Sequence, residues 1–214
     1  MIAFALTFFA VALFVPSVGA QVLSLQRTGG PAPEFTAAVG DTVEVEIRTD
    51  LQGFSAAGFA LYLSIPDGPF EVVGTADPVA SQQPFQAGAL FSEAVELANL
   101  LVPQDRDAGL SGGRLLLHYA AVQGHGHQRS RSGSGVVARL WLVCRESVSK
   151  AEISLHSDAI HESLLVSPDG RSERHFYLDG SLELTVGLPA AAKSIRHRSW
   201  SSVKALREPA AVAR

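Results

Sequence analysis

The sequence has almost no cysteine: Cys144 is the only one among 214 residues. That excludes an intrachain disulfide and any zinc site built from thiolates. The fold must rest on apolar packing, and Cys144 reads as an inert core thiol. Asparagine is equally scarce. Asn99 stands alone, and Leu101 two places on removes a glycosylation sequon. Catalytic signatures are missing too. There is no G-x-S-x-G elbow, and Gly133-Ser134-Gly135 is a turn leading into a strand. Asp105 and Asp107 lack the Asp-x-Asp-x-Asp-Gly spacing of a calcium loop. No amphipathic helix of about a dozen residues appears, which argues against βαβ architectures. There is no internal repeat.

One long apolar run is present, from Ile2 to Val15, closed by Pro16 and followed by Ser17-Val18-Gly19-Ala20. The run is shorter than the ~20 residues of a spanning helix. Its small residues before the expected cut mark residues 1–20 as a secretory signal peptide. No later stretch is suited to cross a bilayer, so no transmembrane segment is expected after signal removal. Charge is unevenly spread. Lys193, Arg196, Arg198, Lys204, Arg207 and Arg214 fall at the end, opposed only by Glu208. Setting these aside from 17 basic and 21 acidic residues leaves 11 and 20, a net charge of −9 on the body. An acidic body repels phosphate, so nucleic acid is not an expected partner. Residues 188–214 read as a basic, disordered tail, with Trp200, Val203 and Leu206 at helical spacing within it.

The body, residues 21–187, reads as strands and turns. Val43, Val45 and Ile47 alternate with Glu44, Glu46 and Arg48, which is the pattern of a half-buried strand. Phe59, Leu61 and Leu63 point one way, and Ala60, Tyr62 and Ser64 the other. In the next clear strand Leu115, Leu117 and Tyr119 share one face, and Arg114, Leu116 and His118 share the opposite one. Val136, Ala138, Leu140, Leu142 and Cys144 form an inward register, leaving Arg139, Trp141 and Val143 outward. Val39-Gly40-Asp41-Thr42, Pro66-Asp67-Gly68-Pro69 and Asp179-Gly180-Ser181 are turns. The stretch from Ala89 to Leu101 fits either a helical turn or an extended edge. About nine strands with short turns predict an all-β, two-sheet antiparallel sandwich of jelly-roll topology.

Chemistry finds little support in the body. Glu44 and Glu46 alternate with apolar residues and read as a solvated face, not as a glycosidase pair. His125-Gly126-His127, with His118 nearby in sequence, is the best arrangement for a metal. Its loop also carries Gly124, Gly133 and Gly135, so ordering it costs much chain entropy. No metal, no cofactor and no catalytic residue is therefore assigned.

Five segments, in order, resemble the cohesin domain and the related carbohydrate-binding modules: Val39-Gly40-Asp41-Thr42-Val43, Gly58 to Ser64, Pro66-Asp67 with Phe70-Glu71-Val72-Val73, Gly113 to Leu117, and Ser134 to Leu142. Leu142 stands where the family pattern usually has an aromatic. The resemblance implies a secreted or cell-surface bacterial module without catalysis. Its partner would be a dockerin-type or surface protein, docked on a flat sheet face. On this chain that face would present Ala60, Tyr62, Ser64, Arg114, Leu116 and His118. The alternative is polysaccharide binding, linked to polysaccharide degradation, in which Trp141 beside Arg139 would stack on a sugar ring.

Overall fold

The computed structural model describes residues 20–30, 32–74, 83–103, 113–124 and 130–188. The expected signal segment up to residue 19, the tail from residue 189, Asp105, Asp107 and the His125–His127 loop lie outside the described residues. The chain order opens with β1 (Val22–Arg27), β2 (Glu34–Ala38), β3 (Thr42–Asp50), β4 (Gly58–Pro66), β5 (Phe70–Val73) and β6 (Phe85–Ala87). A single 3-10 turn, Ala89–Phe91, leads to β7 (Ala94–Leu101), β8 (Arg114–Gln123), β9 (Ser134–Cys144) and β10 (Val148–His156). The set closes with β11 (Leu164–Val166), β12 (Glu173–His175), β13 (Tyr177–Asp179) and β14 (Ser181–Gly187).

These strands form two sheets. The six-stranded sheet runs β13-β1-β3-β9, with β5 and β6 both pairing the far side of β9. The eight-stranded sheet runs β7-β8-β4 and then continues through β10, β14 and β2, with β11 and β12 beside the start of β4. The sandwich is the one expected, but with fourteen strands among the described residues instead of about nine. Most of the surplus is short pieces of three to five residues such as β2, β6, β11 and β12, which are too brief to show a period, and the rest is the eight-residue β7. Pairing is antiparallel except for β1 with β13 and β14 with β2, which are parallel.

The inward registers follow the alternation. Val43, Val45 and Ile47 of β3 are buried against Ala138, Leu140 and Leu142 of β9. From the other sheet, Phe59, Leu61, Leu63 and Ile65 of β4 and Leu117, Tyr119 and Ala121 of β8 close the core. Phe59 sits between Phe91 and Tyr119, with ring centroids 4.8 and 5.4 Å away, in the tilted geometry aromatic pairs prefer. The turn at residues 38–41 forms as its sequence predicts. Gly40 takes φ +97°, a region closed to most side chains, and the Asp41 carboxylate accepts the Ala38 amide at 2.8 Å. Cys144 ends β9 in the core, with its amide bonded to the Asp41 carbonyl at 2.9 Å. Burial pushes its thiol pKa up, with the Asp41 charge adding to the effect.

The undecided stretch from Ala89 to Leu101 contains both readings in succession, a 3-10 turn and then an edge strand. β7 did not show a period because the ladder with β8 shifts between Glu96 and Ala98. A bulge there reverses the alternation partway along the strand. Among the described residues no helix is long and apolar enough to cross a membrane.

Candidate functional site

Four strands of the eight-stranded sheet align one residue each into a row across its outer face. Leu100 of β7 pairs His118 of β8, His118 pairs Tyr62 of β4, and Tyr62 pairs His156 of β10. The inward neighbours Leu61, Leu63, Leu117 and Leu155 anchor this row to the core, so the ladder fixes its spacing. Tyr62 and His118 stack with centroids 4.3 Å apart and planes at 8°. The ring of His161, from the loop after β10, meets Tyr62 edge-on at 5.2 Å. Burial, and next the charge of His161, hold the His118 imidazole below its ordinary pKa of 6.5.

Two further rows flank this one. On one side Ala98, Ala120, Ala60 and Leu164 are paired, giving a low step of small side chains. On the other side Leu116 pairs Ser64, and Ser64 pairs Ser154. Here the expectation of an open surface needs correction: Leu116 is 1% and Ser64 3% exposed. Arg114 does not project into water. Its Nε donates to Ser64 Oγ at 2.6 Å, and its Nη2 reaches the carbonyls of Ser64 and Glu152, both at 3.0 Å. A guanidinium laid along the sheet covers this row. Of the six predicted face residues, Ala60, Tyr62 and His118 form an accessible group, Arg114 acts as a strap, and Ser64 and Leu116 lie beneath the surface.

The loop His156-Ser157-Asp158-Ala159-Ile160-His161 adds what the sequence reading did not single out. Asp158 Oδ1 accepts the backbone N–H groups of Ile160 and His161, both at 2.7 Å. Its Oδ2 lies 2.8 Å from His156 Nε2 and 3.4 Å from His161 Nδ1. The His161 and Ile160 amides, followed by the His156 ring, hold the Asp158 carboxyl well below the usual carboxylate range. Ser163 ties the loop to the sheet. Its Oγ donates to the His156 carbonyl at 2.8 Å and accepts the Tyr62 amide at 3.0 Å. The usable sequence signal was H-x-D-x-x-H, two imidazoles around a carboxylate at the end of a strand.

The edge next to the row is apolar. Val95 and Leu100 of β7, which pair Val122 and His118 on this face, and Leu97 at the bulge are exposed, Leu97 at 68%, while Leu101 pairs the inward Leu117. Ile160, at the tip of the histidine loop, is 73% exposed. The face therefore carries aromatic and imidazole groups in the middle and apolar side chains at both ends.

Trp141 and Arg139 lie on the outer face of the other sheet, on the opposite side of the sandwich from Tyr62. Arg139 Nε is 3.1 Å from Glu46 Oε1 and 3.4 Å from Glu44 Oε1. Trp141 is half-buried between Glu44 of β3 and Val73 of β5. Tyr62 and Trp141 thus cannot join into one aromatic strip, the usual device for gripping a glycan chain.

No known family's sequence profile matches this chain, and no curated protein sequence matches it either. The fold, however, is shared with solved cohesin structures. A type II cohesin domain from the cellulosome of Acetivibrio cellulolyticus is similar at a TM-score of 0.55 and 13% identity, over 78% of this chain and 95% of that one. The second type II cohesin module from the adaptor scaffoldin of the same organism gives 0.51 and 14%, over 77% and 97%. A structure described as a novel type I cohesin–dockerin complex from Clostridium thermocellum gives 0.50 and 13%, over 79% and 100%. The chain has a cohesin-like fold.

Proposed function

We propose that this chain is a non-catalytic docking module that captures a protein partner on the outer face of its eight-stranded sheet. The observation that carries the reading is the row Leu100–His118–Tyr62–His156, held in register across four strands and bordered by the exposed apolar edge of β7. Rigid aromatic anchors with apolar flanks and a polar surround are what a protein interface needs. A stable interface buries about 800 Å² on each partner. The row alone is too small for that, and the β7 edge and the Ile160 loop tip extend it on both sides. The clostridial neighbour is seen in a cohesin–dockerin complex, so a dockerin-type module is the first partner to test, ahead of other surface proteins. The apolar segment at the N-terminus fits export to the outside or the surface of a bacterial cell.

The test is surface plasmon resonance of the immobilised chain against a panel of dockerin modules and cell-surface proteins, beside retention on insoluble polysaccharides. Expected is one saturable protein ligand whose binding is lost in a Tyr62→Ala, Leu100→Glu double variant and kept in Trp141→Ala. Retention on a polysaccharide that Trp141→Ala abolishes, with no protein ligand, would replace docking by carbohydrate binding.

A further inference from the structure

We propose that His156, Asp158 and His161 form a binding site for one divalent transition-metal ion of the zinc, nickel or copper class. The site stands on its own geometry and does not depend on the docking reading.

The argument starts from the loop's covalent order. His156 is the last residue of β10, and its backbone is locked to Tyr62 by the sheet ladder. The chain then turns back within five residues. The Asp158 amide donates to the His161 carbonyl at 3.1 Å, and the Ser163 amide donates to Ser157 Oγ at 3.1 Å. These bonds bring the second histidine over the first without help from an ion. Three ligand atoms converge as a result: one ring nitrogen each of His156 and His161 and an oxygen of Asp158 all lie within 4.8 Å of one another.

The chemistry of the three atoms suits a borderline metal. Zinc binds imidazole nitrogen and carboxylate oxygen at about 2.0–2.2 Å, so tetrahedral ligands stand about 3.3 Å apart. The separations from Asp158 Oδ2, 2.8 Å to His156 and 3.4 Å to His161, bracket that value. Only the gap between the two imidazoles has to close, through small ring rotations. Calcium and magnesium demand mostly oxygen ligands, so two nitrogens against one carboxylate select against them. Three protein ligands leave a coordination position for water or another donor.

Support around the ligands is already in place. Asp158 holds its carboxylate plane through Oδ1, which accepts two backbone N–H groups, and this aims Oδ2 at both rings. The His161 ring packs edge-on against Tyr62, which in turn stacks on His118. These ring contacts limit how the His161 imidazole can turn. The side chains of His161 and His156 are 11% and 23% exposed, so the site is a shallow recess that an ion can enter, built on restrained side chains.

The experiment uses the untagged chain, treated with a chelator and then titrated with Zn²⁺ by calorimetry and with Co²⁺ by its visible absorption. Expected is one strong equivalent of metal, weakened at least tenfold in His161→Gln and in Asp158→Asn. His125→Ala, His127→Ala is expected to bind as the parent does, because the proposed ligands are His156, Asp158 and His161. A Zn²⁺-dependent rise in Tm should accompany binding in the parent and vanish in His161→Gln. Near-ultraviolet circular dichroism checks that the variants keep the parent fold. No strong equivalent in the parent, or undiminished binding in a folded His161→Gln variant, would overturn the assignment.

Discussion

The phenol ring of Tyr62 lies flat against the imidazole of His118, centroids 4.3 Å apart, across a directly paired position of β4 and β8. The stack fills the middle of the outer face, and each ring fixes the other. Removing either should hurt docking more than stability. Tyr62→Ala is expected to lower partner affinity at least tenfold while shifting Tm by only a few degrees. Surface plasmon resonance and thermal melts on the same preparation measure both. A loss of stability as large as the loss of binding would make the pair a packing element instead.

His118 also gives the fold a pH dependence. Burial and the charge of His161 lower its pKa from 6.5, so the unfolded chain takes up the proton first as pH falls. The stability tied to neutral His118 is complete above pH 6.5, and it is lost as pH drops from there through the lower folded value. Metal-free melts between about pH 8 and 5 should show this slope, and His118→Gln should flatten it.

At the buried end of the face, Leu116→Glu should unfold the protein before it can report on docking. The side chain is 1% exposed, so a carboxylate placed there loses its hydration, and the nearby Arg114 guanidinium is already engaged by Ser64 and Glu152. The expected cost is about 3 kcal/mol or more, read from urea denaturation. A stable Leu116→Glu variant would mean that the Arg114 strap lifts readily.

Gly88 sits where two strands approach too closely for a side chain. A methyl group there would lie 2.2 Å from the Val136 carbonyl oxygen, while the Gly88 amide bonds Val137 at 2.9 Å. Gly88→Ala should destabilise by about 1–3 kcal/mol through displaced backbone. Gly30→Ala, where an added Cβ meets nothing within 4 Å, is the control.

Tyr119 donates to Glu96 Oε1 at 3.1 Å beneath β7. Burial, and next the Glu96 charge, raise its pKa well above 10.0. The unfolded phenol therefore ionises first, so stability is complete below pH 10 and is lost as pH climbs towards the folded value. Ultraviolet titration should show a late tyrosine that disappears in Tyr119→Phe.

Much of this architecture was legible in the sequence because β3, β4, β8 and β9 are long enough to alternate cleanly. Their faces could be assigned residue by residue, and the cohesin resemblance put Tyr62 and His118 on one face, where they pair. Alternation says which side of a sheet a residue takes, but not what lies on top of it. Leu116 is on the predicted side and still buried, and Arg114 lies along the sheet onto the Ser64 paired with it. β7 escaped because its bulge changes phase between Glu96 and Ala98. The histidine loop escaped for a different reason. Its ligand atoms meet only after Asp158 caps the turn, a contact between backbone amides and a carboxylate that periodicity does not register.

The lone thiol carries a last consequence. Cys144 is sealed at the end of β9, and the sequence holds no second cysteine to pair with it. No intrachain disulfide can form in a reducing cytosol or an oxidising exterior, so residues 21–187 need no disulfide oxidase or isomerase and should reach the same fold in either compartment.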